Sequence, residues 1–128
     1  MEPVAVVTAL VLCEYFWIVW QTGQARGKYG VPAPAMTGHP VFERWLRVQL
    51  NTVEQLAIFL PSLWIFGHYV SAWIAAGLGL VFLVGRALFA RGYVEDPAKR
   101  GTGFLISIVP NAILLVGSLV GALAAWIR

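Results

Sequence analysis

Four runs of apolar residues leave this chain little freedom in how it can fold. They cover roughly Val4–Thr22, Phe42–Phe66, Tyr69–Phe89 and Phe104–Ile127, and each approaches or exceeds the ~20 residues a helix needs to cross hydrocarbon. Of 128 residues, 59% are apolar and 12% charged, so almost nothing remains from which to build a water-soluble domain. The runs lack the strict alternation of a membrane-spanning β-barrel. The expected fold is all-α: an integral membrane, multi-pass four-helix bundle forming a single domain over residues 1–128.

Position tells more than the net charge of +3. Arg26, Lys28, Arg44 and Arg47 flank the first connection, Arg86, Arg91, Lys99 and Arg100 flank the third, and only Arg128 lies on the other side. Cytoplasmic flanks carry such an excess of Lys and Arg. Both connections are therefore expected to face the cytoplasm, in a bacterial inner membrane or otherwise the endoplasmic reticulum. The first run begins with Glu2 rather than a basic segment and lacks a small-residue cleavage site, so it is expected to be a permanent helix and not a signal peptide. Because the basic residues accompany membrane runs rather than a soluble basic face, no nucleic-acid partner is expected.

The second run breaks the apolar pattern. At about 100° per residue, with Arg44 as zero, Arg47, Asn51 and Glu54 fall near 300°, 340° and 280°, sharing an arc of roughly 80°, whereas Gln49 falls near 140° on the other side. A charge in hydrocarbon costs at least ~2.5 kcal/mol, so such residues face a partner or a wet cavity. Forked guanidinium donors beside a fixed carboxylate suit a small zwitterionic ligand with carboxylates and an amine. Mutual neutralisation of Arg47 and Glu54 is the structural alternative.

Elsewhere, Glu14 interrupts the first run, either bonding to another helix or carrying a transported proton. Cys13 is alone and reads as packing. The Gly- and Pro-rich stretch Gly23–Pro40 reads as a loop, and His39 within it reads as a solvated loop residue. Ala75/Gly79 and Gly117/Gly121 are small-residue pairs suited to close helix packing. Asp96-Pro97 reads as a helix start, followed by Lys99 and Arg100 in the first turn. A cation there is electrostatically unfavourable unless an anion is bound. His39 and His68 are isolated from other ligands, so no metal site is expected. No nucleophilic triad, phosphate loop or dinucleotide fingerprint occurs.

The pattern F-E-R-x-x-R-x-Q-x-N-x-x-E from Phe42, then F-L-P-S-L-W, then R-x-x-F-x-x-G-Y from Arg86 and finally Arg100 resembles the MAPEG family, the membrane-associated proteins in eicosanoid and glutathione metabolism. The likeness is to its glutathione-transferase and leukotriene-synthase branch. It implies a homotrimer of four-helix protomers that binds glutathione as co-substrate between subunits near the cytoplasmic face. Carried over by position, it implies that Arg26, Arg47, Gln49, Asn51, Glu54, Arg86 and Tyr93 bind glutathione and that Arg100 acts on its sulfur. The second substrate would be a lipophilic electrophile or lipid hydroperoxide arriving from membrane lipid. Gln49, facing away from Arg47 and Glu54, would serve the neighbouring subunit's ligand together with Arg26. Gln55 and Phe89 stand where the leukotriene-synthase pattern has tyrosine, and Gly27 where it has a second loop arginine, so the leukotriene substrate is not implied. Two other readings remain: a non-catalytic relative that presents a lipid, and a small proton-coupled multidrug exporter using Glu14.

Overall fold

Side-chain caps set the starts of the two middle helices and of the turn before the last. The computed structural model describes residues 1–128, with helices α1 (Glu2–Lys28), α2 (Pro40–Tyr69), α3 (Ala72–Glu95) and α4 (Gly101–Ile127), the last preceded by a 3-10 turn at Pro97–Arg100. His39 Nδ1 accepts from the Val41 amide at 3.2 Å, with Pro40 filling the first helical position of α2. Ser71 Oγ accepts from the Ile74 amide at 3.2 Å to begin α3 after the tight Val70–Ser71 link. Asp96 Oδ1 accepts from the Ala98 amide at 3.1 Å, so Lys99 and Arg100 lie in the 3-10 turn rather than in α4 itself. These are side-chain oxygen and nitrogen acceptors satisfying amides that have no intrahelical partner.

Three sequence expectations are corrected here. Helix α1 continues through Gly23 and Gly27 to Lys28, leaving a loop shorter than Gly23–Pro40. Glycine costs only about 1 kcal/mol in a helix, and the last turns are held by buried Thr22 and Ala25, with Thr22 Oγ donating to the Trp45 carbonyl of α2 at 3.3 Å. His39 is not simply solvated: besides capping α2 it stacks on Tyr29 with ring centroids 3.7 Å apart. Cys13 is exposed on the outside of the chain rather than packed within it.

Helices α1, α3 and α4 are long and apolar enough to cross a membrane. Helix α2 meets the length requirement, with 30 residues, but its charged first half lowers its apolar character. At 1.5 Å per residue it spans about 45 Å, against ~30 Å of hydrocarbon. Its basic end can therefore lie in the headgroup region while the remainder crosses. The main core joins Val4, Val7 and Val11 of α1 to Phe59 and Leu63 of α2 and Phe82 of α3, with Phe59 and Phe82 stacked at 4.0 Å.

Both small-residue pairs serve contacts within the chain. A Cβ on Gly79 would lie 2.5 Å from Val7, and one on Gly117 would overlap Phe66. The closest approach is between α3 and α4, where a Cβ on Gly85 would lie 2.5 Å from the Ser107 amide nitrogen and one on Gly103 would overlap the Phe89 backbone. Because the obstacle is main chain, it cannot rotate aside. Gly103→Val is expected to cost more than the ~1–3 kcal/mol of ordinary overpacking, lowering the thermal unfolding midpoint in detergent by several degrees or preventing recovery of folded protein. Gly77→Ala, which meets nothing within 4 Å, should leave the midpoint unchanged or slightly raised.

Candidate ligand site

The polar arc of α2 meets α3 and the start of α4 at the basic end of the bundle. Arg47 and Asn51 stand one turn apart on α2, Phe89 and Tyr93 one turn apart on α3, and Arg100 and Phe104 one turn apart across the start of α4. Together with Gly101 they line a cavity of about 420 Å³. A more open recess of about 390 Å³ adjoins it, sharing Arg47 and Tyr93 and adding Pro40, Glu43 and Arg44.

The inner cavity has two guanidinium groups and no acidic lining residue. Neither Arg47 nor Arg100 forms an ion pair; Lys99, beside Arg100, is the one that pairs, with Glu95 at 2.7 Å. The cavity is thus cationic at its polar edge and aromatic along Phe89, Tyr93 and Phe104. That combination accepts a carboxylate or thiolate and covers an apolar group.

Arg86 lies behind this wall. Its side chain is fully buried, Nη2 donates to Asn51 Oδ1 at 2.7 Å and Thr52 Oγ1 at 2.9 Å, and Nη1 donates to Ser107 Oγ at 3.3 Å. The guanidinium also sits 4.3 Å from the centre of the Phe89 ring, a favourable cation–π distance. Of the residues singled out from sequence, Arg47, Asn51, Tyr93 and Arg100 share the cavity, and Arg86 is joined to it through Asn51.

The other three lie elsewhere within the chain. Glu54 is exposed on α2, and Gln49 is half-buried on another face of α2. Arg26 spans the first connection: its Nη1 donates to the carbonyls of Ala35 at 2.8 Å, Pro32 at 3.2 Å and Val31 at 3.5 Å, and its guanidinium lies 4.5 Å from the Phe42 ring centre. Arg44, from the same arc as Arg47, is spent on the end of α3, donating to the carbonyls of Val94 at 3.1 Å and Glu95 at 3.4 Å. Sequence reasoning did not single out Thr52, Ser107 or Phe104. Phe104 carried a usable signal, since it lies one turn beyond Arg100; Thr52 and Ser107 are isolated hydroxyls in apolar runs and carried none.

Long apolar helices, with a cationic, aromatic-walled cavity at the basic end of the bundle, mark a membrane protein. The MAPEG family model matches residues 4–120, and the chain belongs to that family as an integral membrane protein. It is 50% identical over 119 residues to an uncharacterized protein of Synechocystis sp., covering 93% of this chain and 87% of that one. It is 44% identical over 119 residues to microsomal glutathione S-transferase 2 of Homo sapiens, covering 93% and 79%. It is 33% identical over 123 residues to leukotriene C4 synthase of Cavia porcellus, covering 96% and 82%.

The Arg26 clamp gives a direct test. Replacing Arg26 with Ala removes the donor shared by three loop carbonyls and should free the connection between α1 and α2. Trypsin should then cleave after Lys28 several-fold faster than in wild type, with helix content by circular dichroism unchanged. An unchanged cleavage rate would show that the other contacts suffice to hold the loop.

Proposed function

We propose that the chain is a membrane-bound glutathione transferase, with the cavity lined by Arg47, Asn51, Tyr93 and Arg100 as its glutathione site. The observation that carries this reading is the pairing of two unneutralised guanidiniums with an aromatic wall in one cavity. Glutathione offers two carboxylates, an ammonium and a thiol. Arg47 and the Asn51 amide suit a carboxylate, the Tyr93 hydroxyl supplies a further hydrogen bond, and Arg100 at the mouth of α4 suits the sulfur.

Arg100 would act by charge. A free thiol has a pKa of about 8.5, and a fixed cation beside it favours the thiolate, which is the nucleophile. The thiolate attacks an electrophilic carbon of a lipophilic substrate, forming a carbon–sulfur bond while the displaced electron pair goes to the leaving group or along a conjugated system. With an organic hydroperoxide the same thiolate attacks the terminal oxygen, and a second glutathione completes reduction to the alcohol, water and glutathione disulfide. The relatives named glutathione S-transferase and leukotriene C4 synthase support the transferase reading.

A homotrimer accounts for the residues outside the cavity. Glu54 is exposed on α2, beyond the polar end of a helix that crosses hydrocarbon, where a lipid-facing carboxylate is costly. A second copy packed on this face would cover it and bring further groups, Gln49 and Arg26 among them, toward the ligand. The four-span layout, with the site toward the cytoplasm, agrees with the clustering of basic residues at that end.

The test is absorbance near 240 nm, approximately where a thiolate absorbs, as glutathione is mixed with detergent-purified protein. Wild type should show thiolate formation at neutral pH, and Arg100→Ala should show little. The acid limb of kcat/KM for an electrophile should lie below the free thiol's pKa in wild type, because a stabilised thiolate persists to lower pH. In Arg100→Ala it should move up toward about 8.5. Absence of saturable glutathione binding by wild type would overturn the enzyme reading in favour of lipid presentation.

A further inference from the structure

Glu14 is the buried-stripe residue that the proposed chemistry leaves unused. On α1 the buried positions are Val4, Val7, Val11, Ile18, Thr22 and Ala25, and Glu14 fills the gap at helical spacing, half-buried. Val7 packs against Gly79 of α3, and Ile18 falls in one cluster with Phe89 and Ala90. The two helices run in the same direction with one register. Glu14, seven residues past Val7, therefore stands at the level of Arg86, seven residues past Gly79.

Arg86 needs such a neighbour. Its guanidinium is fully buried, all of its hydrogen-bond acceptors are neutral, and its Nε is buried without any partner. A buried cation without a counter-charge is strongly destabilising. No carboxylate lies within ion-pair distance of Arg86 in the chain, and Glu14 is the acidic residue that α1 presents at its level.

The bond from Arg86 to Asn51 also fixes which way the Asn51 amide points. With Oδ1 held at 2.7 Å by Nη2, the amide's two N–H donors are left for the cavity.

We propose that Glu14 and Arg86 form a charge pair across α1 and α3 that positions Asn51 as a donor to glutathione, with Arg86 never touching the ligand. The proposal rests on the reading of the cavity as a glutathione site. Arg86 is thus a positioning residue, and Glu14 is its counter-charge from a helix that contributes nothing to the cavity wall.

Two sets of double-mutant measurements test it, the first holding two cycles and the second one. In the first, glutathione KM is measured for Asn51→Ala, Arg86→Lys, Glu14→Gln and the pairs of the latter two with Asn51→Ala. Arg86→Lys and Asn51→Ala should each raise KM about tenfold, the loss of one hydrogen bond to a charged group. Neither Arg86→Lys nor Glu14→Gln should raise it further once Asn51 is Ala. A purely structural Arg86 would lower the yield of active protein and leave KM at its wild-type value. That result, or KM effects that multiply on Asn51→Ala, overturns the positioning role.

The second set needs no ligand. Thermal unfolding midpoints are compared for Glu14→Gln, Arg86→Met and the double variant. Each single change should lower the midpoint, and the double variant should lose less than the two together. Additive losses overturn the charge pair. If wild type binds no glutathione, the proposed function and the positioning role fall together, while the second set still decides the pair.

Discussion

A single guanidinium removed from water governs the basic half of this bundle. Burying a cation costs several kcal/mol unless its surroundings compensate, and no one helix can supply all the acceptors Arg86 needs. Asn51 and Thr52 come from α2 and Ser107 from α4, with Phe89 from its own helix beneath the guanidinium plane. The backbone glycines make this geometry accessible. Gly85 and Gly103 let α3 and α4 approach at main-chain distance, which brings Ser107 within reach of the residue next to Gly85. The glycines, the hydroxyls and the arginine therefore form one joint, to which Asn51 is bonded through Arg86.

The fold was largely legible because its signals are local. Apolar runs, the cap at Asp96 and the small-residue pairs each act within a few residues and were visible in order along the chain, whereas the cap at Ser71 fell inside an apolar run and was not. Half of the site was legible for the same reason: Arg47 and Asn51 share a face of α2 at helical spacing whatever surrounds them. The remainder depended on relations the sequence does not carry. A helical wheel puts Arg44 beside Arg47, yet Arg44 reaches the end of α3 while Arg47 lines the cavity. Gly23 and Gly27 resemble loop residues, but the helix persists because Thr22 and Arg26 find acceptors in neighbouring segments. Glu54 is exposed and Gln49 half-buried on faces of α2 that do not line the cavity, and nothing local in the sequence says what meets them there.

Helices α2 and α4, each interrupted by a proline, are joined by polar contacts in an apolar setting. They run in the same direction, and their polar contacts recur in one register: Asn111 Nδ2 donates to the backbone and side-chain oxygens of Gln55 at 3.3 and 2.9 Å, and one heptad on, Ser118 Oγ donates to the Ser62 carbonyl at 2.7 Å. Pro61 and Pro110 each remove an amide from their helix, and on α2 side chains of α4 bond to carbonyls on either side of Pro61. Apolar packing continues the register toward the basic end, where Val48 and Phe104 share a cluster. The result is a stiff two-helix wall ending at the cavity.

That register also bears on which substrate the cavity can take. Gln55 stands where the leukotriene-synthase pattern has a tyrosine, and here its side chain is occupied by Asn111 of α4. It is turned toward the neighbouring helix and takes no part in lining the cavity. Phe89, the other departure from tyrosine, does line it, but lies against Arg86 and offers a ring face without a hydroxyl. The polar contacts of the cavity are therefore concentrated in Arg47, Asn51, Tyr93 and Arg100, groups matched to a charged ligand, and the rest of its wall is hydrocarbon and aromatic surface. Hydrophobic pockets discriminate weakly between apolar groups of similar size. Under the proposed transferase reading, a site built this way would select strongly for the anion and loosely for the lipophilic partner, which suits conjugation of varied electrophiles better than commitment to one lipid.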